Sequence, residues 1–319
     1  MNNKSWKGHI AAIFCMVVWG TTFISTKVLL ITFSPIEILF IRFTIGYIAL
    51  WLAFPRRLHL LEKKHELYFA AAGLSGVTLY FLFENIALTF TRVSNVGVIV
   101  SLAPFFTALI ACIFLHGERP GIRYFLGFMI AMAGIYLISF QNTTEININP
   151  LGDFLAVAAA VLWAVYSTLI KKISAFGYHT ILVTRRCFLY GLLFMLPALF
   201  RMGFQVELRE LITQINLFNL LFLGLGASAL CFAVWNSAVK LLGTVKTTVY
   251  IYLVPVITAV TSVLVLHEVI TKAAFLGILL TILGLFLSES KSLVKSRKKN
   301  QVNLEQKNAT VEFSSSSND

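Results

Sequence analysis

The chain has 319 residues, 58% of them hydrophobic and only 13% charged, against roughly 25% charged in an ordinary soluble domain. The excess is too large for one globular core. The 26 Lys and Arg against 14 Asp and Glu, net +12, raise the question of a nucleic-acid partner.

Apolar runs of about 20 residues, the length of a transmembrane helix, recur ten times: Ile10 to Ile31, Pro35 to Phe54, Leu67 to Phe90, Val96 to Leu115, Tyr124 to Phe140, Phe154 to Ile170, Thr180 to Phe200, Leu217 to Val239, Thr247 to Leu266 and Ala273 to Leu287. The first follows Lys4 and Lys7 but exceeds the ~7 to 15 residues of a signal-peptide core, so it reads as a span. Barrel strands need only about 10 alternating residues, whereas these runs are continuous. Each must satisfy its own backbone hydrogen bonds as a helix. The expected fold class is an all-α polytopic membrane protein, with no segment left for a soluble catalytic domain.

With both termini cytoplasmic, eighteen basic residues fall inside and four (Arg92, Arg201, Arg209 and Lys272) outside, the positive-inside bias. The basic balance thus reports topology in a cell membrane, and no nucleic-acid partner is expected. The tail, 289–319, reads as a basic, polar and disordered cytoplasmic extension, its first lysines and arginine near anionic headgroups. Cys15, Cys112, Cys187 and Cys231 fall within spans without metal-ligand spacing and read as packing residues.

A shift of 144 places Gly8 on Gly152, Trp19 on Trp163, Lys27 on Lys171 and Arg42 on Arg186. One of 151 places Gly73 on Gly224, Asn85 on Asn236, Pro104 on Pro255 and His116 on His267, and one of 150 pairs Glu118 with Glu268. The chain is a five-helix unit used twice, over 6–140 and 152–288. An odd number of spans reverses the entry side on repetition, so the halves are inverted, the architecture of many secondary transporters with a shared midplane site.

The segments WGTTFISTK, Pro35 followed by Arg42, and SLAPFFTALIACIFLHGE, with their counterparts WAVYSTLIKK, Arg186 and LVPVITAVTSVLVLHE, resemble the EamA repeat of the drug/metabolite transporter superfamily. The resemblance implies ten helices, transport of small metabolites, often export, and no cofactor.

Charges inside spans are costly and mark pathways or buried pairs. Arg42, Glu84, Arg185 and Arg186 are such charges. Arg42 and Glu84 are read either as a structural pair or as site residues, with one or both of the repeat-related Arg42 and Arg186 receiving an anionic group. Glu84, whose image is Trp235, is the candidate for proton coupling. Trp19 and Trp163 either line the cavity or pack its floor. Thr22, Tyr80, Asn85, Ser101, Tyr166, Tyr190, Asn236, Tyr250 and Tyr252 are polar groups in apolar helices, and of the last two tyrosines only one faces the interior; Tyr250 is taken. Asn85 and Asn236 equally suit helix-to-helix hydrogen bonds. Lys27 and Lys171 snorkel or gate, and Pro104 and Pro255 are candidate hinges. The stripe Gly127, Ala131 and Gly134, repeated as Gly277, Thr281 and Gly284, permits close helix approach within one chain or between two, so monomer and homodimer both stay open.

GLGASA at Gly224 lacks the context of a dinucleotide site, and no Walker motif, HExxH or in-membrane histidine set occurs. The expected function is secondary-active transport of small organic metabolites, with export of amino acids preferred over exchange of a nucleotide-like metabolite or a non-transporting receptor. Protons are the candidate coupling partner.

Overall fold

The computed structural model describes residues 3–91, 93–115, 120–139, 149–266 and 271–289. His116, Glu118, His267, Glu268, Arg92 and the tail beyond 289 lie outside the described residues. Among the described residues there is no strand, and ten helices are long and apolar enough to cross a membrane. They are α1 (Ser5–Leu29), α2 (Pro35–Ala53), α3 (His65–Phe90), α4 (Asn95–Phe114), α5 (Ile122–Ser139), α6 (Pro150–Ser174), α7 (Thr180–Met202), α8 (Gln214–Leu242), α9 (Thr244–Thr261) and α10 (Lys272–Glu289). Large apolar side chains such as Ile13, Trp51, Phe154 and Phe286 point outward, as lipid-facing positions require. The protein is a multi-pass membrane protein.

Local chemistry sets the helix ends. At α2, Pro35 occupies the first turn and the Glu37 carboxylate accepts from the Ser34 amide at 2.8 Å. At α6, Pro150 does the same beside the Asn149 cap, whose side chain accepts from Gly152 N at 3.0 Å. Gly203 and Gly243, which follow α7 and α8, have φ of 78° and 91°, a region that disfavours a Cβ.

His9 near the start of α1 lies 3.1 Å from Glu289 at the end of α10. Both helix ends therefore share one face, called here the terminal face; the loop joining α1 to α2 lies on the other, distal face. The inverted repeat is visible in the packing: α2 lies on α8 as α7 lies on α3. A Cβ built on Gly224 would approach Arg42 O to 3.1 Å and one on Gly73 would approach Cys187 O to 2.6 Å. The repeat-related Trp19 and Trp163 meet edge to face with centroids 5.3 Å apart, so the pseudo-two-fold axis passes close to them.

The small-residue stripes of α5 and α10 pack on each other within the chain. A Cβ on Gly134 would lie 2.5 Å from Gly277 O, and one on Gly284 2.5 Å from Gly127 O. Backbone oxygens cannot yield as a flexible side chain would, so Gly134→Val is expected to destabilise the fold by about 1 to 3 kcal/mol or more. A fall in the thermal midpoint of the purified protein by several degrees would show it.

Regular α-geometry breaks in pairs. Residues Leu74–Leu79 of α3 and Phe222–Leu230 of α8 form wide π-helical turns, and the 151-residue shift superposes 74–79 on 225–230. α4 is interrupted at Ser101 and Leu102, and α9 is wound as a 3-10 helix over Val249–Tyr252, whose last residue is the image of Ser101. Pro104 and Pro255 therefore stand in the opening turn of regular helices that begin at Ala103 and Leu253. Both stay inside the spans α4 and α9, shortly after the irregular stretches.

Candidate functional site

A cavity lies at the centre of the bundle, walled by α1, α2, α3, α4, α6 and α9. Its volume is about 50 Å³, room for a small molecule at most. Thr22 and Phe23 lie in the distal third of α1, Tyr80 and Glu84 in the distal half of α3, and Gly97 and Ser101 in the distal third of α4, so the cavity runs from the level of Trp163 and Ile251 near the middle of the bundle into its distal half. Towards the terminal face, Phe232, Trp235, Tyr166 and Phe188 are fully buried and fill the space beneath it.

Arg42 is held by three contacts. Its Nε donates to Ser228 Oγ at 3.0 Å, and its guanidinium carbon sits 4.7 Å and 5.2 Å from the Phe81 and Phe43 ring centroids. Such cation–π contacts are worth up to about 2 kcal/mol when desolvated. Neither terminal guanidinium nitrogen has a hydrogen-bond partner among the described residues. Glu84 accepts from Tyr80 Oη at 2.9 Å through one oxygen, and its second oxygen has no such partner among the described residues. No ion pair within 4.0 Å joins Arg42 to Glu84, so the structure corrects the reading of these two as a closed structural pair. A guanidinium with four of its five N–H donors unpaired and a carboxylate with one oxygen unpaired, among the described residues, share the cavity wall.

Aromatic rings supply the remaining wall. Trp19 donates through Nε1 to Ala227 O at 3.0 Å, which fixes its indole. Tyr80 and Trp163 lie 4.8 Å apart and Tyr80 and Phe81 4.6 Å.

Of the residues expected at the site, Trp19, Thr22, Arg42, Tyr80, Glu84, Ser101 and Trp163 line this cavity. The others are placed elsewhere. Arg186, the image of Arg42, turns to the terminal rim, where its Nε lies 2.6 Å and its Nη2 2.5 Å from Glu66 Oε1; Tyr190 donates to the same oxygen. Its charge is spent there, which corrects the expectation that it receives an anionic ligand. Tyr166 donates to Asn236 at 2.8 Å and Asn236 to Thr184 at 2.9 Å, a buried bridge between α6, α8 and α7. Asn85, next to Glu84 in the chain, is buried and does not line the cavity, and its Nδ2 has no hydrogen-bond partner among the described residues. Tyr250 lies at the terminal face, 2.6 Å from His9 Nδ1 and 3.3 Å from Glu289, and Ile251 rather than either neighbouring tyrosine faces the cavity. Lys27 and Lys171 do not line it, nor do Pro104 and Pro255. Arg185 donates to Phe54 O at 2.9 Å and to Arg56 O, anchoring the loop between α2 and α3. Cys15, Cys187 and Cys231 are buried, whereas Cys112 is exposed on α4.

Phe81 and Ser228 were not anticipated. Phe81 was legible in principle, since Tyr80, Phe81 and Glu84 stand at i, i+1 and i+4 on one helical face. Ser228 carries no such signal, because its place beside Arg42 depends on the wide turn of α8.

Asn236→Ala leaves the Tyr166 and Thr184 hydroxyls without their partner, a cost of about 1 to 3 kcal/mol. Thermal unfolding is expected to register that loss while KM for transport stays within about twofold; a KM rise of tenfold or more with unchanged stability would place Asn236 in contact with substrate.

Two inverted five-helix bundles around a central cavity define a membrane transporter. The EamA-like transporter family matches residues 6–140 and 150–289, and the chain belongs to that family. An uncharacterized transporter of Archaeoglobus fulgidus is 28% identical over 91% of this chain and 99% of its own length. A probable amino-acid metabolite efflux pump of Escherichia coli is 25% identical over 89% and 95%, and a probable terminal-alkyne amino-acid exporter of Streptantibioticus cattleyicolor 26% identical over 92% and 97%. A crystal structure 20% identical, covering 89% of this chain and 98% of that one, superposes with a TM-score of 0.74, which establishes the shared fold.

Proposed function

We propose that the chain is a secondary-active exporter of amino acids or closely related zwitterions, working by alternating access in the cell membrane with both termini cytoplasmic. The observation that carries this reading is a pair of opposite charges in one cavity, within electrostatic reach of each other but not closed into an ion pair: the free edge of Arg42 suits a carboxylate bidentately, and the free oxygen of Glu84 suits an ammonium. The aromatic wall of Trp19, Trp163, Tyr80 and Phe81 suits an apolar or aromatic side chain. One positive and one negative group leave a zwitterion balanced, whereas a nucleotide-like anion would meet Glu84 as a like charge, so the cavity favours the amino acid. Relatives named a probable amino-acid metabolite efflux pump and a probable terminal-alkyne amino-acid exporter support this choice.

Glu84 binds either the substrate ammonium or a proton, and that exclusion gives a route to proton coupling. The eighteen-to-four distribution of basic residues supports the orientation, and the cavity then opens to the outside. Lys27 and Lys171 stand at the distal end of α1 and the terminal end of α6, where they serve as gates, and the irregular stretches before Pro104 and Pro255 serve as paired joints. The small-residue stripe is consumed within the chain, which favours a monomer over a homodimer. Flux of a radiolabelled amino-acid panel in proteoliposomes, with and without a pH gradient, tests the reading. Saturable flux of at least one amino acid is expected, and no flux of any would overturn it.

A further inference from the structure

The repeat assigns every cavity residue an image in the other half. Trp19 falls on Trp163 and Phe23 on Ser167 at a shift of 144, and Glu84 falls on Trp235 and Ser101 on Tyr252 at 151. All four images are buried. Each holds a buried polar atom with no hydrogen-bond partner among the described residues, namely Trp163 Nε1, Ser167 Oγ, Trp235 Nε1 and Tyr252 Oη, and the first three lie together. Leaving such an atom dry costs about 1 to 3 kcal/mol, and a native fold rarely tolerates several together without cause.

The three belong to one region. Trp163 forms the cavity floor, Ser167 follows it one helical turn nearer the terminal face on the same side of α6, and the Trp235 ring lies 5.8 Å from that of Trp163. The pseudo-two-fold axis at the Trp19–Trp163 contact carries the distal cavity onto this region. If the two halves exchange their conformations, the space around Ser167 and Trp235 opens to the terminal face as the space around Phe23 and Glu84 now opens to the distal one. The stranded donors then meet water or substrate.

We infer that Trp163, Ser167 and Trp235 line the passage joining the cavity to the terminal face in the opposite-facing state. The passage differs from the cavity in charge. Trp235 stands where the cavity has Glu84, and Arg186, the image of Arg42, is held at the rim by Glu66. A zwitterion entering it leaves both of its ion partners behind and meets hydroxyl and indole N–H groups, so the passage conducts rather than stores. The inference rests on the alternating access proposed above and not on the identity of the substrate.

Single added cysteines test it in proteoliposomes, with a charged methanethiosulfonate on both sides of the membrane. Modification is read peptide by peptide by mass spectrometry, so the four native cysteines stay in place. Ser167→Cys exchanges one oxygen for sulfur and keeps the packing. Thr107→Cys, at a fully buried position of α4 outside both regions, reports general loosening, and Ser101→Cys reports the open cavity. Ser167→Cys is expected to react at least tenfold faster than Thr107→Cys. Reaction no faster than Thr107→Cys, with Ser101→Cys modified, would overturn the passage and leave the cavity standing; if Ser101→Cys were inert as well, the cavity reading would fall together with the passage.

Discussion

Arg42→Met is expected to lower kcat/KM for amino-acid flux by at least 100-fold while leaving the protein folded. The guanidinium is fixed by Ser228 and two phenyl rings, so its free edge is preorganised for a carboxylate, and losing a buried charged partner typically costs about 2 to 5 kcal/mol. Methionine approximates the length and packing of the side chain and keeps its contact with Phe81. A decarboxylated amine, which has nothing for Arg42 to hold, serves as the comparison: its weak flux is expected to be the same in both proteins. Equal flux of the amino acid in wild type and Arg42→Met, measured with radiolabel in proteoliposomes, would remove Arg42 from the site.

Glu84→Gln is expected to lower kcat/KM by about 10- to 100-fold and to abolish the response of flux to a pH gradient. The amide keeps the size of the side chain and can still accept from Tyr80, now bonded to Glu84 at 2.9 Å, so folding is preserved. It cannot pair with an ammonium or exchange a proton, and a hydrogen bond to a charged group is worth about 1.5 to 3 kcal/mol. The pH response separates the two roles of the carboxylate: reduced flux that still follows the gradient would leave ammonium binding intact and strike out proton coupling through Glu84.

The span count, the duplication and its inversion were legible because membrane helices are continuous apolar runs and because Trp, Pro, Arg and His are rare enough inside them for matches at one offset to be informative. The same rarity exposed Arg42, Glu84, Trp19 and Trp163. Partner choice was not legible. Arg42 and Arg186 are equivalent by repeat, yet one faces the cavity and the other a rim carboxylate, Glu66, 120 positions earlier; nothing local in the sequence separates them. Tyr250 was misplaced because an α-helical reading sets the face of each residue by 100° steps, and the 3-10 winding of Val249–Tyr252 changes that register. The wide turns in α3 and α8 likewise bring Ser228 to Arg42, and the glycines at 73, 76, 224 and 226 hint only at close packing there.

A cavity that holds both ends of a zwitterion must tell an amino acid from analogues that lack either charge. The most direct measurement is competition in proteoliposomes: saturable flux of one transported amino acid, challenged in turn with its deaminated acid, its decarboxylated amine and an uncharged analogue of the same side chain. The amino acid is expected to compete at least tenfold better than either singly charged analogue, with the uncharged one weakest. Equal competition by all four would contradict the account.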